Sequence, residues 1–148
     1  MRRLLLALVL AMGAGVAQAK SLWVEMLDTD GMTVYLHREE LQIYGNGIVR
    51  MTILKDLKNV KDEGGGRKAY SWIDVIEGHC GRQAIRDITS TAYDMPGGRG
   101  RPFETMDCTG FRSFGEWTPK EERPIEWYLV NSVCEFLKSE KTAKPERG

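Results

Sequence analysis

The adjacent residues His79 and Cys80 are the part of the sequence that most resembles a catalytic pair, since a thiol beside an imidazole base is a nucleophile. Neighbouring residues of a strand point to opposite faces of a sheet, however, so these two side chains are not expected to meet. The sequence also contains neither an HExxH motif nor a Ser/His/Asp arrangement. We therefore predict no catalytic residues and no enzymatic activity, and a small hydrolase is the least favoured alternative.

Asp28 and Asp30 resemble the beginning of a calcium-binding loop, in which Glu39 would occupy the twelfth position. The fifth position is Met32, which has no oxygen ligand, and the sixth is Thr33, where such a loop needs glycine. A β-hairpin is the favoured interpretation of this segment. Because the sequence has only two histidines and no CxxC motif, a closed zinc site is not expected either. We predict neither a metal nor another cofactor.

The glycine-rich segment 97–101 contains the arginines Arg99 and Arg101. Its backbone amides and guanidinium groups are suited to holding an anion. No strand-to-helix pattern surrounds the segment, so it is not a P-loop, and an exposed loop is the default expectation. Arg99 and Arg101 are nevertheless the candidate contacts for an anionic partner, such as a glycan or an envelope polymer.

Apolar and polar residues alternate through most of the chain, which indicates strands with one buried face. The turn signals Asp30-Gly31 and Gly45-Asn46-Gly47 separate the first of them, and the polar segment 58–68 is predicted to be a flexible connection. The predicted strands cover residues 22–26, 32–37, 48–57, 69–77, 83–93 and 103–108. Consecutive strands without intervening helices imply an antiparallel sheet of about five or six strands.

The pattern changes to a helical one at Pro124, a residue suited to the first turn of a helix. The apolar residues that follow recur mostly at three- and four-residue steps and define a broad face for burial against the sheet. They are Ile125, Leu129, Val133, Phe136 and Leu137. Cys134 lies at the edge of that face. The fold class is therefore α+β, with a single domain over residues 20–140 and a flexible tail over residues 141–148.

The first nineteen residues have the pattern of a signal peptide. Basic residues stand at positions 2 and 3, an apolar run covers residues 4–12, and Ala17-Gln18-Ala19 fits the A-x-A cleavage pattern. We predict export by the general secretory route, with cleavage between Ala19 and Lys20. The run is too short for a typical transmembrane helix, which needs about 20 residues, although an uncleaved anchor or a buried helix is the alternative.

The overall composition and net charge limit the classes of partner that the sequence supports. Hydrophobic residues make up 42% and charged residues 28%, as in a globular protein, and the formal net charge is zero, which gives no argument for nucleic acid binding. No integral membrane segment is expected in the mature chain.

The sequence contains three cysteines, Cys80, Cys108 and Cys134. In an oxidising compartment two of them are expected to form a disulfide, and the third stays free or pairs with another chain.

The sequence resembles the surface-adhesin protein E family over residues 21–137. The residues that carry the resemblance stand in the same order and spacing along the chain. They are Trp23, Asp30-Gly31, Tyr35, Gly47-Ile48-Val49-Arg50-Met51, Tyr70-Ser71, Cys80, Arg86, Tyr93, Gly115-Glu116-Trp117-Thr118-Pro119 and Val133-Cys134. The resemblance implies an antiparallel sheet with a C-terminal helix tethered by a Cys80–Cys134 disulfide. Cys108 is an additional cysteine, and the sequence lacks the lipid-attachment cysteine of surface-anchored members.

The resemblance also implies a place in the envelope of a Gram-negative bacterium, in the periplasm or at the cell surface. The leading functional hypothesis is an exported, non-enzymatic binding or structural module with a protein or glycan partner at the envelope or host surface. The alternative is a periplasmic accessory or inhibitor protein that binds an envelope component.

Overall fold

The computed structural model describes residues 22–62, 66–107 and 116–143. The predicted cleavage site at Ala19 and Lys20 and the third cysteine, Cys108, lie outside these residues. Within these residues, eight strands and one α-helix follow one another. They are β1 (Trp23–Asp28), β2 (Met32–His37), β3 (Gln42–Ile43), β4 (Ile48–Asp62), β5 (Lys68–His79), β6 (Ala84–Met95), β7 (Arg99–Asp107), β8 (Thr118–Pro119) and α1 (Pro124–Ala143).

The strands form one antiparallel sheet in the order β1-β2-β4-β5-β6-β7. The two-residue strands β3 and β8 pair with the outer sides of β4 and β6. The predicted α+β fold is therefore confirmed, and these two short strands increase the number above the expected five or six. Within the described residues, no helix is both long and apolar enough to cross a membrane.

The long central hairpin of β4 and β5 differs from its prediction. The sequence predicted an end of β4 at residue 57 and a flexible connection over residues 58–68, but Asp62 still pairs with Lys68. Residues 58–60 are exposed and lie where the register of the β4–β5 pair is interrupted, between Asp56 and Lys61, and pairing resumes at Lys61 and Asp62. That part of the prediction was wrong because it inferred backbone structure from the side chains alone.

The core lies between α1 and one face of the sheet. Its buried side chains are those of Val34, Val49, Met51, Ile53, Ile76, Ile85, Leu129, Val130 and Cys134. Gly78 allows the closest approach, since a Cβ atom at this position would overlap the side chain of Val130. We refer to this side of the sheet as the helix face and to the other as the open face.

The helix begins at Pro124 as predicted, but its buried stripe is rotated from the expected one. Phe136 was predicted on the buried face and is 59% exposed, whereas Val130 and Cys134 are fully buried. The disulfide between Cys80 and Cys134, with Cα atoms 5.7 Å apart, and the close contact at Gly78 bring this side of α1 onto β5. The tether implied by the resemblance is thereby confirmed, and α1 continues three residues into the segment predicted as a tail.

Candidate binding site

A row of five side chains crosses the open face of the sheet. Arg50 on β4, Glu77 on β5 and Arg86 on β6 are direct cross-strand neighbours, because Arg50 pairs with Glu77 and Glu77 pairs with Arg86. Tyr44 directly follows β3 and Trp117 directly precedes β8, so the two short strands bring one aromatic ring to each end of the row. We refer to these five residues as the arginine row.

The carboxylate of Glu77 holds both guanidinium groups. Arg50 donates to its Oε1 from Nε at 2.9 Å and from Nη2 at 2.5 Å. Arg86 donates to Oε2 from Nε at 2.8 Å, and its Nη2 lies 2.5 Å from the same oxygen. The Arg50 guanidinium lies 5.7 Å from the centre of the Tyr44 ring, and the Arg86 guanidinium lies 4.7 Å from that of Trp117. These distances are in the range of cation–π contacts.

The row has an excess of positive charge. Only 4% of the Glu77 side chain is exposed, against 37% for Arg50 and 32% for Arg86. Burial raises the pKa of Glu77, but the hydrogen bonds from Arg86 and Arg50 outweigh burial and hold it below its ordinary value. Glu77 is therefore a carboxylate at neutral pH, and it compensates one of the two guanidinium charges. A cleft of about 410 Å³ opens beside Arg50, Arg86 and Tyr44.

A second charged group, which we call the helix-side cluster, lies between α1 and the sheet. Lys55 Nζ is 2.8 Å from Asp74 Oδ2 and 2.7 Å from Glu126 Oε1. Arg123 binds Asp87 through two hydrogen bonds of 2.7 and 2.9 Å and donates a third, of 3.1 Å, to Glu126. Each cation is thus shared by two carboxylates.

The electrostatics of the helix-side cluster keep its groups charged. Burial raises the pKa of Glu126, but the nearby charge of Lys55 and the hydrogen bond from Arg123 lower it to about 2. Burial lowers the pKa of Lys55, yet the charges of Asp74 and Glu126 outweigh burial and hold it above its ordinary value. A depressed carboxyl pKa is unsuited to a general acid at neutral pH.

A cleft of about 300 Å³ beside this cluster brings two carboxylates together, those of Asp74 and Asp87. Converging carboxylates are the feature that would favour a hydrolase. Here, however, Lys55 and Ser90 bind Asp74, and Arg123 binds Asp87. The geometry is that of an ion-pair network joining α1 to the sheet.

The residues singled out in the sequence for nucleophilic chemistry do not come together. Cys80 is bonded to Cys134 on the helix face. His79 lies on the open face, where its ring makes an edge contact with Trp117 at 5.5 Å and its Nδ1 accepts a hydrogen bond from the Arg82 amide. The disulfide removes the thiol, and the two side chains of the pair lie on opposite faces.

The segment that contains Arg99 and Arg101 is a turn and the beginning of β7 rather than a free loop. Residues 96–98 form a short 3-10 helix, and Arg99 is the first residue of the strand. The amide of Gly97 donates to Asp56 at 2.6 Å and that of Gly98 to Ser71 Oγ at 3.0 Å, so these two amides are already engaged. Both arginine side chains are exposed.

The Asp28–Asp30 segment forms the β1–β2 hairpin. Asp28 Oδ1 accepts a hydrogen bond from Thr33 Oγ1 at 2.7 Å and forms an ion pair with Lys58 at 2.8 Å. Among the residues with described placement, no group of three or more histidine, cysteine, aspartate or glutamate side chains is arranged to hold a metal ion.

Sequence reasoning missed both charged groups. Glu126 gave a weak signal, because it lies in the first turn of the helix, directly after the apolar Ile125 and one turn before Leu129 and Val130. Lys55 gave a similar weak signal, because it is the next residue on the face of β4 that carries the apolar Val49, Met51 and Ile53. Arg50, Arg86 and Trp117 of the arginine row are among the residues that carry the family resemblance, but their alternation with buried residues gave no sign that they meet on one face.

A comparison with protein-family profiles identifies the family of the chain. The profile of the family described as Surface-adhesin protein E matches residues 23–135, from the first residue of β1 into α1. The chain belongs to the surface-adhesin protein E family. A search of curated proteins finds no match.

Solved structures of Haemophilus influenzae protein E are similar to this member of the protein E family. The selenomethionine form is 12% identical with a TM-score of 0.48, and the match covers 81% of this chain and 88% of that one. Crystal form II is 16% identical with a TM-score of 0.46, over 62% and 80% of the two chains. Protein E from non-typeable Haemophilus influenzae is 15% identical with a TM-score of 0.46, over 64% and 70%.

Proposed function

We propose that the protein is an exported, non-enzymatic binding module of the bacterial cell envelope that is displayed at the surface as an adhesin. The observation that carries the proposal is the family match, which spans the whole sheet and most of the helix rather than one motif. The ion pairs of the helix-side cluster support the absence of catalysis, because its carboxylates are held by cations.

Two further features support export. The pattern of residues 1–19 is that of a signal peptide for the general secretory route, with cleavage between Ala19 and Lys20. The Cys80–Cys134 disulfide is the kind of bond that persists in the periplasm or outside the cell and is rare in the cytosol.

The contact surface in this proposal is the basic end of the sheet where β5, β6 and β7 meet. A cleft of about 430 Å³ lies there beside Arg67, Lys68, Arg101 and Phe103. Arg67 lies over the Phe103 ring at 5.6 Å, and Arg99 is exposed at the adjoining turn. Exposed cations around an aromatic ring suit a polyanionic partner, such as an acidic glycan or an envelope polymer.

Protease treatment of intact source cells tests the display of the protein, with a periplasmic protein followed in parallel. Release of peptides from this protein while the control survives is the expected result. Protection until the outer membrane is opened would contradict surface display and favour the periplasmic accessory or inhibitor role. N-terminal sequencing of the exported protein is expected to begin at Lys20, and a retained Met1 would contradict cleavage.

Retention on heparin, a sulfated polyanion, tests the basic end of the sheet. The double variant Arg99→Gln/Arg101→Gln is expected to elute at lower salt than the wild type, because it loses two exposed cations. Arg38→Gln/Arg82→Gln is the matched control, since it removes the same charge elsewhere. Equal shifts for the two double variants would mean that only net charge matters.

A further inference from the structure

The open face carries a site whose construction a simple ion pair does not explain. One arginine is sufficient to neutralise one carboxylate, yet Glu77 binds both Arg50 and Arg86. Each guanidinium directs Nε and Nη2 at Glu77, which leaves its other N–H groups for a different acceptor. Among the residues that the structure describes, no second acceptor contacts either guanidinium.

The surroundings contact each of the two arginines at two points. Glu77 binds both guanidinium groups, the Tyr44 ring contacts that of Arg50, and the Trp117 ring contacts that of Arg86. Each ring is one residue from a strand paired to the sheet, since Tyr44 follows β3 and Trp117 precedes β8. A pair of cations fixed before binding loses little conformational freedom when a ligand arrives.

The cleft beside the pair is large enough for a small ligand. It measures about 410 Å³, and Glu77 is the only acidic residue among those that line it. Asn46 and Tyr44 add an amide and an aromatic ring to the same wall. Planar guanidinium forks match the two oxygens of a carboxylate or a phosphate, so the free edges select an oxyanion rather than a neutral ligand.

We propose that the cleft formed by Arg50, Arg86 and Tyr44 is a binding site for a small oxyanion, the carboxylate or phosphate group of a sugar or of a polymer end. The site is distinct from the basic end of the sheet that holds Arg99 and Arg101. It goes beyond the proposed function, because it does not depend on where the protein is displayed or on what the basic end contacts.

Titration of the ¹⁵N-labelled mature protein at constant ionic strength tests the site. The probes are D-glucuronate, N-acetylneuraminate and inorganic phosphate, with chloride as the competing anion. We expect saturable shifts confined to the cleft amides of Gly45, Asn46 and Ile48, with a Kd of about 1 mM or tighter for at least one probe. Saturation by only the sugars or only phosphate would assign the source of the oxyanion and support the site.

Charge variants locate the site. Arg50→Gln and Arg86→Gln are each expected to weaken binding about tenfold or more, since a charge-assisted hydrogen bond is lost. Arg99→Gln/Arg101→Gln is expected to leave it unchanged. A thermal melt and the spectrum of each variant establish that it is folded. The localised shifts of the wild type test the proposal even if a variant does not fold.

Two results would overturn the proposal. One is the absence of saturable shifts for all three probes at about ten times the expected Kd. The other is an equal loss of binding in the Arg99/Arg101 double variant, which would show general attraction to basic residues. Neither result bears on protease accessibility at the cell surface, so this site and the proposed function fail separately.

Discussion

The two faces of the sheet each hold a group of charged side chains, and the two groups have net charges of opposite sign. The helix-side cluster shares two cations, Lys55 and Arg123, among three carboxylates and is covered by α1. The arginine row places two guanidiniums on one carboxylate and is uncovered. In the covered cluster each cation contacts two carboxylates, so no cation is buried without a partner, which would be costly. In the uncovered row, the arginine side chains are partly exposed, so water can solvate the N–H groups that Glu77 does not bind. The covered group therefore serves stability, and the uncovered group keeps donors available for a ligand.

The largest expected loss of stability comes from removing the disulfide that holds α1 on the helix face. Cys134→Ser removes a disulfide that joins residues 54 apart, and the chain-entropy model assigns such a bond roughly 4 kcal/mol. Chemical denaturation is expected to show this loss, while Cys108→Ser changes the free energy of unfolding little. Equal losses for both variants, or a Cys80–Cys108 bond in non-reducing peptide mapping, would contradict the tether.

Glu126→Gln tests the helix-side cluster itself. The folded pKa of about 2 lies below the ordinary value of 4.5, so Glu126 stabilises the fold fully above about pH 5, and this stability is lost as the pH falls toward 2. The pKa difference corresponds to roughly 3 kcal/mol. Denaturation from pH 7 to pH 2 is expected to show a flatter pH dependence for the variant, and an unchanged slope would contradict the role of Glu126.

Gly78→Ala tests how closely α1 must approach the sheet. The new methyl group would overlap the side chain of Val130, so this side chain or the helix that carries it must shift. We expect a loss of about 2 kcal/mol in the free energy of unfolding, the range found for overpacked cores. Gly31→Ala is the matched control, because nothing lies within 4 Å of its Cβ position. A similar loss in both would point to backbone effects rather than packing.

Glu77→Gln is expected to have the smallest effect on stability. It weakens ion pairs to two partly exposed arginines, which water and salt screen, so about 1 kcal/mol is expected in denaturation at pH 7. Its effect should also diminish in high salt. A loss equal to that of Glu126→Gln would remove the distinction between the two faces.

Much of the fold was predictable, because the alternation of apolar and polar residues in strands and their three- and four-residue spacing in the helix reflect which side chains are buried. The strands, the hairpin at Asp30-Gly31 and the start of α1 at Pro124 follow from those patterns. The extension of β4 to Asp62 does not follow from them, because the exposed side chains at this end of the strand show no alternation of apolar and polar residues. The rotation that exposes Phe136 depends on Gly78 and Cys80, which are distant in sequence from the helix.

The candidate site was less predictable for a related reason. Arg50, Glu77 and Arg86 become neighbours only through the register of three strands, and a single sequence does not contain that register. Strands β3 and β8 have two residues each, too few for a period, so nothing in the sequence indicated that Tyr44 and Trp117 flank the row.

The nearly sequential order of the sheet has a consequence for the kinetics of folding. Most pairings join strands that are consecutive along the chain, and such pairings form quickly because they close short loops. The ion pair between Lys55 and Glu126 joins residues 71 apart and must await the helix. Contacts that form after the transition state act mainly on the unfolding rate. Loss of Glu126 or of the disulfide is therefore expected to accelerate unfolding far more than it slows folding.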